Sequence, residues 1–377
     1  MKSLAPFLSL LATIPDPRRA EGKIYQLTHV LLFSVFAILS GANSYRGIRT
    51  YVKAHRAALN KAFEIKWKRA PAHTAIRYIL QGLDPADVEK VFREHAADLN
   101  QEPAGVGARV IAFDGKTLKR SFDNFNDAKA KQVLSAFAVD TALVLAHIEI
   151  DEKSNEIPAV QQLLRELEVA GCIVTCDAMH CQKKTFEAAA AAKAHLIVQI
   201  KDNQPTLCEK VEAACAVAEP LSTAKTVDAK QRNRHETRTV AVFDAKPAVK
   251  GTEWEPHVAA LVRIKRAVQH FQPLTGLWKP TFETSFYLSG RPVHAKIAAR
   301  AIRNHWAIEN KSHYTRDVSL SEDASRIRKN PGIFARLRSF GYNILKRNQS
   351  DTIPQDRLAN AFGGIKAILA MKFSRER

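Results

Sequence analysis

Apolar residues change their spacing twice along this chain. Up to about residue 100 they follow a helical rhythm. Leu27 to Leu39 is an almost unbroken apolar run, and Ser44 stands where an N-cap is favoured ahead of YRGIRTYVKAH. His73 to Leu80 suggests a further helix, and Asp84 followed by Pro85 marks the start of ADVEKVFREHAADL. These segments predict a small helical bundle with Arg46, Arg49, Lys53, Arg56, Lys66, Lys68 and Arg69 on its exposed side. That side is either a DNA-end-binding surface or an ordinary solvated basic face.

The polar stretch Asn100 to Ala108, with Pro103, Gly105 and Gly107, closes this region, and a two-residue alternation follows. Arg109 to Phe113 predicts a strand ending at Asp114, with Gly115 allowing a tight turn. Val133 to Val139 and Ala142 to Ile150 flank Asp140-Thr141 as a hairpin. Then come an amphipathic helix (IPAVQQLLRELEVAG, stopped at Gly171), a buried strand (CIVTCD) closing on Asp177, a helix (QKKTFEAAAAAKA) and a strand (LIVQIK). The order β-β-β-α-β-α-β is that of a ribonuclease-H-like fold, an α/β mixed sheet covered by helices.

From Thr206 to Leu288 a helix and several strand-like runs, among them HVAALVRIK and TFETSFYLS, predict a β-rich insertion in which Arg234, His235, Glu236 and Arg238 are available for phosphates or for one another. Helical spacing then returns. Ile302, Trp306, Glu309 and His313 recur at intervals of four, three and four, so a helix beginning near His294 would align an indole, a carboxylate and an imidazole on one stripe. On such a stripe Glu309 faces the fold, and a buried carboxylate needs a cation. The candidates are a metal ion or a neighbouring base, Arg303 or Arg316.

Charge sharpens this picture. The net charge is +19, and it is uneven. Residues 1–100 carry 15 Lys/Arg against 8 Asp/Glu, residues 101–290 carry 24 against 23, and residues 291–377 carry 18 against 7. Two basic flanks around a near-neutral middle point to a polyanion, with nucleic acid first among them. Five cysteines without a CxxC pair predict neither a zinc site nor a disulfide framework. Val30 to Leu39 is too short to span a bilayer, so no membrane partner and a reducing, nucleoid-associated prokaryotic cytoplasm are expected.

Asp114 and Asp177 close strands that this order sets side by side, and Glu309 would join them from its helix. Hard oxygen ligands of this kind suit Mg²⁺ or Mn²⁺. Two such ions about 3.5 to 4 Å apart serve phosphodiester cleavage and transfer. Glu322 and Asp323 rival Glu309, although LSEDAS reads as a turn whose acids bind nearby arginines. His180, close after Asp177, either orients an acid or packs neutral.

Several segments carry a family resemblance: LSGANSYRGIRTYVKAH, IAFDGKTLKRS, TCDAMHCQKKT, HLIVQIKDNQPTL, RHETRT and HWAIENKSHYTRDVSLSEDASRIR. Together they resemble the DDE insertion-sequence transposases of the H-repeat-associated group, within the insertion-sequence-four-like superfamily. The resemblance implies a ribonuclease-H-like core, Asp114, Asp177 and Glu309 as a catalytic and metal-binding triad, and two Mg²⁺ or Mn²⁺ ions. It also implies cleavage at insertion-sequence ends, strand transfer into target DNA, and a homodimer on paired terminal inverted repeats. Trp306 matches a position that holds a flipped base. The superfamily's Tyr, Arg and Lys around the Glu are replaced here by Ile302, His305 and Arg316. Candidate DNA contacts are Lys116, Lys119, Lys183, Lys201, His305, Trp306, Arg316, Arg326 and Arg328.

The expected organisation is a helical DNA-binding domain (1–102), a catalytic domain in two parts (103–205 and 291–348) divided by the insertion (206–290), and a helical tail (349–377). Two other readings stay open, a catalytically idle DNA-binding descendant and a structure-directed nuclease with the same triad.

Overall fold

The computed structural model describes residues 3–101, 108–122, 129–150, 156–231 and 233–375. Its elements in chain order are α1 (Leu4–Ala12), α2 (Leu27–Leu39), α3 (Tyr45–Ala62), α4 (His73–Gln81), α5 (Pro85–Leu99), β1 (Val110–Thr117), β2 (Gln132–Ala138) and β3 (Leu143–Ile150). They continue with α6 (Glu156–Glu166), β4 (Ile173–Cys176), α7 (Lys183–Ala191), β5 (His195–Ile200), α8 (Pro205–Val217), β6 (Ser222–Gln231), β7 (Arg234–Asp244) and α9 (Lys246–Val249). The last are β8 (Ala260–Gln272), β9 (Leu277–Ser289), α10 (Ala295–His305), α11 (Pro331–Arg347) and α12 (Ile353–Leu369).

The chain forms two compact units. One comprises Met1–Gly105, Gly115–Asn155 and Ile308–Arg377, the other Val106–Asp114 and Glu156–Ala307. Strands run in the order β3-β2-β1-β4-β5-β9-β8-β7-β6, and β1 is the strand that both units share. The first five positions are those of the ribonuclease-H-like fold.

In the helical unit, local capping sets the helix starts. Ser44 Oγ accepts the Gly47 N–H at 3.2 Å, and Asp84 Oδ1 accepts that of Ala86 at 2.8 Å, with Pro85 in the first turn. The run Ala20–Leu39 is long and apolar enough to cross a membrane. Its main part, α2, instead forms the centre of this unit, against α1, α3, α11 and α12. Helix α11 is buried from Pro331 to Leu345. At Gly341 a Cβ would come within 2.9 Å of Ile38 Cγ2, so the missing side chain is what lets α2 and α11 approach. A polar knot ties α5, β3 and α11. Glu89 accepts from Arg93 Nε at 2.9 Å, the His147 backbone N–H at 2.6 Å and Arg336 Nε at 2.8 Å, while His147 Nε2 meets Ser339 Oγ at 2.9 Å.

In the second unit β1, β4 and β5 run parallel, β9 pairs antiparallel with β5, and β8, β7 and β6 follow antiparallel. Helix α10 crosses β4 to β7. Two local expectations are corrected. Strand β1 continues through Gly115 to Thr117, so Gly115 makes no turn and Asp114 lies within the strand. Helix α6 ends at Glu166, and Gly171, at φ +73°, serves the turn before β4.

Candidate active site

Strand register brings the two aspartates together. Val110, Ile111 and Ala112 of β1 pair with Ile173, Val174 and Thr175 of β4, so two residues further on Asp114 comes abreast of Asp177. Both carboxylates act on the Cys176 thiol, which burial first, and then these two charges, push well above its ordinary range. Continued across the sheet, the same register sets Gln199 of β5 beside Asp177 and Tyr287 of β9 beside Gln199. Two aspartates, an amide and a phenol therefore form one row at the carboxyl ends of the parallel strands, where open α/β sheets bind ligands.

Helix α10 delivers the next contacts. The His294 imidazole accepts the Lys296 N–H at 3.3 Å at its start, and at its end His305 Nε2 lies 3.3 Å from Asp177 Oδ1, with Nδ1 3.0 Å from Thr175 Oγ1. An imidazole that donates from Nε2 and accepts the Thr175 hydroxyl at Nδ1 satisfies both contacts. The Asp177 side chain is 58% exposed, and its carboxyl is held below the usual range by the His305 hydrogen bond, against the upward push of partial burial. Asp177 opens on a cleft lined by Thr175, Gln199, Tyr287, His305 and Trp306, among others. Burial drives the Tyr287 hydroxyl up to about 12, so it enters the cleft as a hydrogen-bond donor. Trp306 is 57% exposed.

The expected stripe through Glu309 does not form. Helix α10 ends at His305, and the chain continues in wider π-helical turns, Ile308–His313 and Thr315–Ser319. A π turn closes i to i+5, so residues four apart no longer share a face. Glu309 is exposed, whereas Ile302 and His313 are buried. The buried carboxylate of this region is Glu322, paired with Arg316 at 3.0 Å and approached by Arg338 at 3.9 Å. Arg316 is 1% exposed, so its guanidinium serves Glu322 and is not displayed to a phosphate.

Lys116 is buried against Asp317 and Asp323, and Lys119 meets Asp323 at 2.6 Å. Lys183 pairs with Glu253, while Lys201, Arg326 and Arg328 are exposed. Thus Glu322 of LSEDAS binds arginines, as expected of that turn, whereas Asp323 binds lysines. His180 is buried with Nε2 3.7 Å from Glu156. Among the described residues no group of three or more His, Cys, Asp or Glu lies close enough to hold a metal ion. Gln199 and Tyr287 were missed from sequence. Their only signal is the alternation of HLIVQIK and TFETSFYLS, which gives a face but not a neighbour.

Fold and site together define a ribonuclease-H-like protein of the transposase type. The chain belongs to the transposase DDE domain family, whose model matches residues 106–340, and residues 8–96 match the associated N-terminal family, DDE_Tnp_1-associated. It is 31% identical to YbfL of Escherichia coli (strain K12) over 355 residues, covering 92% of each chain. It is 30% identical, with the same coverage, to the protein named "H repeat-associated putative transposase YhhI" from that strain. Among solved structures, a piggyBac transposase synaptic complex with hairpin DNA overlays with a TM-score of 0.41 at 9% identity, covering 98% of this chain and 78% of that one.

Proposed function

We propose that this transposase cuts DNA at the ends of an insertion sequence and joins them to target DNA, acting as a homodimer on paired terminal inverted repeats in the bacterial cytoplasm. The observation that carries the reading is the register that sets Asp114 abreast of Asp177. Adjacent carboxylates offer hard oxygen donors suited to Mg²⁺ or Mn²⁺, and Glu309 is the residue proposed to complete the set. When bound, such ions lower the barrier to phosphodiester cleavage by activating the attacking oxygen and stabilising the leaving one.

The chain's own groups have separate tasks. His305 orients Asp177, and Thr175 fixes the His305 ring. Tyr287 and Gln199 line the cleft as donors for phosphate oxygens. Exposed Trp306 offers an indole face on which an unpaired base stacks. Lys201, Arg326 and Arg328 supply exposed positive charge for the backbone.

The test uses plasmid DNA carrying the sequences that flank the coding region, incubated with the protein and Mg²⁺. Asp114→Asn is expected to lose end cleavage by a factor of about 10²–10³, a loss of the size that follows removal of one key stabilising group, while binding DNA as the wild type does. Undiminished cleavage removes Asp114 from the site. Cut but never joined ends would identify a nuclease.

A further inference from the structure

Strands β6 to β9 carry a charged group that the proposed chemistry leaves unused. Arg234, Glu236 and Arg238 alternate along one face of β7. Register sets Arg238 opposite Thr226 of β6 and Arg266 of β8, and Arg266 opposite Glu283 of β9. Like charges directly opposite one another destabilise a sheet. Glu236 offsets that repulsion: it is 4% exposed, accepts from Arg234 and from Arg266 Nε at 2.9 Å, and forms an ion pair with Arg238 Nε at 2.5 Å.

The carboxylates are unequally shared. Arg266 also has Glu283 at 3.0 Å, and Arg303 of α10 holds Asp228 at 2.7 Å. Arg234 and Arg238 have only Glu236, in common, among the described residues, and Arg234 Nε is buried without a hydrogen-bond partner. Four guanidiniums face three carboxylates, so the group carries one net positive charge, and Arg234 and Arg238 share the carboxylate that has the most partners. A buried acid fixes these two side chains in advance, which lowers the ordering cost of gripping an anion. Guanidinium forks suit phosphate oxygens best.

We propose that Arg234 and Arg238, splayed by Glu236, form a phosphate clamp for DNA, a role that rests on the reading of the aspartate row as the cutting site. Tyr287 and Glu283 lie an even number of residues apart on β9 and so share a face, and the row Glu283-Arg266-Arg238 therefore borders the same side of the sheet as the row that Tyr287 shares with Gln199 and Asp177. From Tyr287 to Glu283, in the row of Arg266 and Arg238, is four residues, or about 13 Å at 3.3 Å per residue.

The full chain is titrated into a fluorescein-labelled duplex of mixed sequence in EDTA, and the affinity is followed against salt. Arg234→Gln with Arg238→Gln is expected to make the slope of log affinity against log salt shallower by about 0.9, the value for one phosphate contact. Thr226→Glu sets a carboxylate opposite Arg238 and removes no partner of Glu236, and is expected to reduce the slope by about 0.9. Lys210→Gln with Lys250→Gln loses the same charge at exposed positions of the same unit and should leave the slope unchanged. Unchanged slopes for the arginine pair and for Thr226→Glu would overturn the clamp, as would an equal fall in the lysine pair. If the arginine pair fails to fold, Thr226→Glu decides alone. Since binding is read without metal, failure here is separate from failure of the Asp114→Asn cleavage test.

Discussion

Asp177 and His305, 128 residues apart, meet at 3.3 Å between Oδ1 and Nε2. This contact is the main reason the Asp177 carboxyl lies below its ordinary range. His305→Ala should therefore let that carboxyl titrate at a higher pH. Carbon-detected NMR of the Asp177 side chain reads the shift, and an unchanged midpoint would show that His305 does not hold the carboxylate.

Glu322 lies between Arg316 and Arg338, and all three side chains are buried. Removing one partner of such a group leaves an uncompensated charge inside the fold. Glu322→Gln is expected to lower stability by about 3–5 kcal/mol in urea unfolding. A loss below about 1 kcal/mol, the range of exposed pairs, would contradict its role as a structural centre.

Acid should loosen the knot around Glu89. Burial raises its carboxyl, but His147 and Arg336 more than reverse this and hold it at about 2 from an ordinary 4.5. A depressed carboxyl contributes stability that is complete above the unfolded value and is lost as pH falls toward the folded one. Wild-type melting temperature should accordingly fall between pH 4.5 and about 2 more steeply than that of Glu89→Gln. Parallel curves would assign the acid sensitivity to other groups.

Gly341 faces Ile38 where α11 crosses α2. An alanine there must push the two helices apart, at a cost of about 1–3 kcal/mol for an overpacked core. Denaturant unfolding of Gly341→Ala measures it, and a gain in stability would mean that the helices yield freely.

Much of this was legible in the sequence, for reasons that can be named. The Asp84-Pro85 start, the hairpin around Asp140-Thr141 and the strand closing on Asp177 each depend on neighbours a few residues away. Asp114 could be assigned to a strand for the same reason, although not to its interior. The break after Trp306 was hidden, because the sequence keeps an α-helical spacing that the backbone abandons for π turns. Glu322 also gave no sign of its burial, since its partners are Arg316 and, from another helix, Arg338. Gln199 and Tyr287 become neighbours of Asp177 only through register between distant strands, which no local pattern encodes.

The core around α2 is completed by α11, some three hundred residues later. A ribosome therefore releases nearly the whole polypeptide before that apolar helix is covered. A premature stop codon upstream of Pro331 would yield a fragment with α2 uncovered, fit for a protease rather than for DNA.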